Sequence, residues 1–79
     1  MKRYAAHLLF LSPTEVYKQY VVELMGEEVV RFFPLTEELE STIWLTGTIV
    51  LKDSYAYYTS LLDVSLIADL PMSALSKLV

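Results

Sequence analysis

The stretch from Tyr17 to Phe33, YKQYVVELMGEEVVRFF, sets a glycine and a glutamate between two runs rich in β-branched and aromatic residues. Tyr17, Tyr20, Val21 and Val22 on the near side lose side-chain freedom in a helix and fit a pleated surface. Gly26 at the first central position of a two-residue loop is what a type II′ hairpin turn requires. The far run, VVRFF, is more strand-like still, and a strand must pair its backbone groups with a neighbour. A competing helix is written into residues 12–26. Ser12 suits an N-cap, Pro13 the first helical position and Glu15 a capping box, while Gly26 would follow the last turn. Val16, Tyr17, Tyr20, Val21 and Leu24 also recur at helical spacing. A helix there would deprive VVRFF of its nearest partner, so the expectation is a hairpin.

The remaining chain supports a β reading. Tyr4 to Leu11 is a continuous apolar run ended by Ser12-Pro13, as in a buried strand. After Pro34 the polar stretch TEELEST reads as a connection. IWLTGTIVL, from Ile43 to Leu51, reads as a strand in which Gly47 marks a bulge or a close backbone approach. Lys52-Asp53-Ser54 is a turn, and Tyr55 to Leu62 a fifth strand. From Val64 to Val79 two readings stay open: a short helix capped by Asp69 before Pro71, or an edge strand in ALSKLV. No repeat, low-complexity tract or linker divides the chain. The expected fold is one small, mainly β domain spanning residues 1–79. It would be a sandwich or partly open barrel of about five strands built on antiparallel hairpins, with at most one short helix near the C-terminus.

Composition narrows the function. A chain of 79 residues buries only about 60% of its unfolded surface. With no cysteine it has neither disulfides nor thiolate metal sites. Yet 54% of the residues are apolar, more than a monomer this small easily hides, so a homo-oligomer, in the simplest case a dimer, or a protein partner is expected. The net charge is −4, and the six basic residues are scattered, so no phosphate-tracking patch forms and nucleic acid is not an expected partner. Lys2 and Arg3 before the apolar run imitate a signal peptide. However, His7 interrupts that run and Pro13-Thr14 replaces a small-residue cleavage site. No window reaches the ~18 uninterrupted apolar residues of a membrane span, and a cytoplasmic protein is expected.

The order of elements also carries a resemblance. A first strand, then Val21-Val22-Glu23, Gly26, Val29-Val30 and Pro34-Leu35, then Thr42, Leu45 and Gly47 before Ile49-Val50-Leu51, resembles the small N-terminal β domain, or composite domain, of metal-dependent amidohydrolases. The likeness covers roughly residues 1–51 and implies a non-catalytic accessory domain standing alone. In that family the segment after the glycine leads to a barrel strand with paired metal-binding histidines. Here it reads IVLKDSYAYY, without histidine, and a barrel of some 200 residues or more has no counterpart.

No catalytic, cofactor-binding or metal-binding residue is assigned. His7, the single histidine, has no Cys, Ser or carboxylate placed beside it by a motif and reads as structural. Glu37, Glu38 and Glu40 lack the spacing of a calcium loop and read as a solvated connection. Asp53, Asp63 and Asp69 read as turn and cap residues. Gly26 and Gly47 belong to no Gly-rich phosphate loop. What remains is the aromatic set: Tyr4, Phe10, Tyr17, Tyr20, Phe32, Phe33, Trp44, Tyr55, Tyr57 and Tyr58. Part of it is core, and part points to an interface. The expected role is non-enzymatic, a protein-interaction or self-assembly module. The alternatives are a small-molecule binding module and an accessory subunit of a separately encoded metal-dependent hydrolase.

Overall fold

The computed structural model describes residues 1–37 and 39–78. The chain runs β1 (Lys2–Ser12), β2 (Glu15–Met25), β3 (Glu28–Pro34), β4 (Thr42–Lys52), β5 (Tyr55–Thr59), helix α1 (Val64–Ala68), a single 3-10 turn (Met72–Ala74) and β6 (Ser76–Lys77). These strands form one sheet in the order β3-β2-β1-β4-β5-β6. β3 also meets β5 at the Glu28 and Tyr55 pair, and the Val29 N–H donates to the Ser54 carbonyl at 2.7 Å. The sheet therefore curls until its first and fifth strands touch, giving the mainly β, partly open barrel expected from the sequence.

The hairpin at Gly26 forms, and residues 12–26 are strand rather than helix. Met25 pairs with Glu28, leaving Gly26-Glu27 as the loop. Gly26 takes φ 62°, the positive value that a type II′ turn asks of its first central residue. The residues that imitated a helix start serve a turn instead. Ser12 pairs with Glu15, and the Ser12 hydroxyl accepts from the Thr14 N–H at 3.3 Å. A hydroxyl that bonds a backbone N–H two residues on closes a turn as readily as it caps a helix.

One pairing is not antiparallel: β1 and β4 run parallel. Their register slips between Ala6 and Leu8, where β4 carries one extra residue. Gly47 lies in that bulge, and a Cβ placed on it would come within 2.4 Å of the Thr59 carbonyl oxygen. Both sequence readings of this glycine, bulge and close approach, therefore apply. In the same region Gln19 of β2, opposite His7, takes φ 53°. Tyr4 and Ala6, then Leu9 and Leu11, join one cluster, so the inward alternation of β1 slips by one residue at this kink.

The main core lies within the curl and joins Tyr4, Ala6, Leu9, Val22, Leu24, Ile49 and Ala56. A second cluster of Phe10, Val50 and Ile67 sits on the other face of the sheet, under the tail. The tail resolves the open question at the C-terminus partly in favour of each reading. Asp63, not Asp69, caps the short helix: its Oδ1 accepts from the Ser65 N–H at 3.0 Å and the Leu66 N–H at 3.4 Å. Asp69 lies at the helix's C-terminal end. Beyond it, Ser76-Lys77 is an edge strand on β5. Val79 lies outside the described residues, so the reading of residues 64–79 is settled only as far as Leu78.

Candidate functional site

The outer face of the sheet away from the tail carries two cross-strand rows. Residues paired across neighbouring strands share a face. Arg31, Glu23, Arg3 and Thr42 are paired in succession across β3, β2, β1 and β4. Beside them run Phe33, Val21, Ala5 and Trp44. The first row is polar and the second apolar.

Glu23 is the centre of the polar row. Its side chain is only 1% exposed, and its two carboxylate oxygens accept from different guanidiniums. Arg3 Nε donates to Oε2 at 2.5 Å, and Arg31 Nε donates to Oε1. The hydrogen bond from Arg31, then that from Arg3, hold the Glu23 carboxyl below the usual glutamate value, while burial works weakly the other way. Arg31 is raised in return by the Glu23 carboxylate. A water-free carboxylate needs such partners, since a buried charge without one is strongly destabilising. Arg31 also lies over the Phe33 ring, with Cζ 5.1 Å from its centroid, and the Arg3 Nη1 reaches the Glu40 carbonyl at 3.4 Å.

Two hollows flank these rows, with Leu39 lining both. One, of about 430 Å³, is lined by Arg3, Arg31, Phe32, Phe33 and Leu39. The other, of about 630 Å³, is lined by Ala5, Leu35, Leu39, Glu40, Thr42 and Trp44. The Thr42 hydroxyl is buried and has no hydrogen-bond partner among the described residues. A further apolar feature lies on the margin of the sheet. Among the described residues, β3 beyond Val29 pairs only with β2, and its Val30 is 52% and its Phe32 38% exposed.

The residues weighed from the sequence fall mostly elsewhere. His7 is half-buried, and its ring meets Trp44 edge-on at 5.1 Å. Glu37 and Glu40 are exposed, and Glu38 lies outside the described residues. No group of three or more His, Cys, Asp or Glu side chains is placed to hold a metal among the described residues. Asp53 sits in the turn between β4 and β5, with φ 52°. Gly26 and Gly47 occupy a turn and a bulge. Of the aromatics, Phe32, Phe33 and Trp44 line the two hollows, while Tyr17, Tyr20 and Phe32 form a separate cluster with Tyr17 stacked on Tyr20 at 4.8 Å. The Arg3–Glu23–Arg31 group was not singled out from sequence. Its signal was a lone acidic residue inside the apolar run VVELM, which matters only once the register brings both arginines beside it.

No protein-family model matches the chain. No curated protein matches it either. Among solved structures it is similar to an N-acetyl-D-glucosamine-6-phosphate deacetylase from Mycobacterium smegmatis, at 19% identity and a TM-score of 0.50. The match covers 65% of this chain and 15% of the deacetylase, so it concerns a small segment of that enzyme. At this identity the likeness is one of fold. It agrees with the resemblance to a small amidohydrolase β domain drawn from the hairpin and the glycines.

Proposed function

We propose that the chain is a non-catalytic interaction module that self-associates or docks a partner protein along β3. The observation that carries this reading is the open margin of that strand. Among the described residues it pairs on one side only from Val30 to Pro34, while Val30 and Phe32 expose apolar side chains beside it. An unpaired strand edge offers main-chain donors and acceptors to another strand, and the side chains next to it give the contact its selectivity. Between Glu23 and Leu24 the β2 partner register slips, giving β3 one extra residue, and Pro34 lacks an N–H. Both features confine pairing to a short segment, which suits a defined contact better than open-ended stacking.

Size-exclusion chromatography with light scattering tests it. A dimer that Val30→Lys converts to a folded monomer is the expected result. A wild-type monomer that also retains no partner strand would end this reading.

A second reading has its own support. The similarity to a 15% segment of a deacetylase favours an accessory chain of a separately encoded metal-dependent hydrolase. Under it, a large metal-dependent enzyme co-purifies with the chain, and Val30→Lys weakens that contact. Both readings take the chain as cytoplasmic, on the sequence argument that His7 breaks the apolar run of residues 4–11. Among the described residues no helix is long and apolar enough to cross a membrane.

A further inference from the structure

One guanidinium would neutralise Glu23, yet two are bound to it. The group therefore carries one positive charge in excess, in a chain whose net charge is −4. Each arginine commits its Nε to the buried carboxylate, and both side chains line the 430 Å³ hollow. Among the described residues, Arg3 Nη1 also donates to the Glu40 carbonyl, and the Arg31 guanidinium lies over the Phe33 ring. Among the described residues the rest of the lining is Phe32, Phe33 and Leu39. Guanidinium N–H groups recognise planar carboxylates. The single excess charge matches a monoanion.

We propose that this hollow is a binding site for a monocarboxylate bearing an aromatic or branched apolar group, the carboxylate held by Arg31 and Arg3 and the apolar group lying against Phe33 and Leu39. The volume falls within the range of small-ligand sites. The site does not depend on self-association along β3, because its charge and walls come from one chain. Its carboxylate has two possible sources, a free aromatic acid or the C-terminus of a peptide ending in an apolar residue.

The test is a titration of the whole chain followed by amide resonances in 1H–15N NMR, with benzoate, benzamide, inorganic phosphate and N-acetylphenylalanine as probes. Benzoate or N-acetylphenylalanine is expected to shift Arg3, Arg31, Phe33 and Leu39 saturably, and benzamide to leave them in place. Preference for N-acetylphenylalanine assigns the site to chain ends, and preference for benzoate to free acids; either supports the shared chemistry. Arg31→Gln is expected to weaken the better probe by roughly tenfold or more, the scale of a lost charge-assisted pair. If that variant does not fold, Arg31→Lys keeps the charge without the planar fork and is expected to bind more weakly than wild type. Glu23→Gln is expected to bind more tightly, since it frees both guanidiniums. The proposal is overturned by benzamide binding as well as benzoate, by phosphate binding as well as either acid, by equal binding in Arg31→Lys, or by no saturable shift.

Discussion

Glu23 shows what one residue can demand of a small fold. Because Arg31 and then Arg3 lower its folded pKa below the ordinary 4.5, the stability it contributes is fully present above that value. It is lost as the pH falls through the lower folded value. The melting temperature of the wild type is therefore expected to drop as the pH is taken below about 4.5. Glu23→Gln should be less stable at neutral pH and should show a shallower acid decline. Parallel declines in the two proteins would assign the acid sensitivity to other carboxylates. The sequence marks this residue only as a lone acid in an apolar run, because a strand pattern tells which positions share a face but not which strands are neighbours. Gly47 was legible for the opposite reason. A glycine inside an otherwise β-branched strand already implies a missing side chain, and the carbonyl of Thr59 occupies the space that a side chain would need.

At the scale of elements, the turns carried most of what could be read. Gly26-Glu27 and Lys52-Asp53-Ser54 each join strands that do pair, and Ser12-Pro13 closes the first hairpin in place of starting a helix. The turn after β4 is also the one with a built-in conformational cost. Asp53 and Ser54 take φ values of 52° and 68°, the double positive φ of a type I′ loop, although neither is glycine. Replacing the pair by Asn-Gly is expected to stabilise the protein by about 1 kcal/mol in urea denaturation, with the slope unchanged. An unchanged or lower midpoint would mean that the existing side chains hold this turn at no cost. The parallel pairing of β1 with β4 was not legible. It joins segments some thirty residues apart, and no turn between them announces it. The helix cap differs from the expected one for a related reason: two aspartates flank the helix, and only the fold shows that the first, Asp63, starts it while Asp69 ends it.

The whole molecule has two apolar clusters of unequal reach. The one inside the curl draws on β1, β2, β4 and β5, while the one outside joins the tail to β1 and β4 through Phe10, Val50 and Ile67. Stability should divide along the same line. Ile67→Ala is expected to cost the tail about 2–4 kcal/mol of local stability and to speed hydrogen exchange in residues 64–78. Amides of β1 and β2 should keep their protection. Equal acceleration everywhere would show that the tail unfolds only with the rest.

The chain also begins in the middle of its own sheet. β1 comes first in sequence, with β2 on one flank and β4 on the other. When the protein is made from its N-terminus, β1, β2 and β3 can form a three-stranded meander as soon as residue 34 has emerged. The second flank of β1, eleven residues long, then stays open until Thr42–Lys52 has been synthesised. During that interval the nascent chain presents a longer and more apolar edge than the finished protein ever does. A pause in translation between residues 35 and 52 would therefore be the moment at which this protein is most exposed to mispairing with its neighbours on the same message.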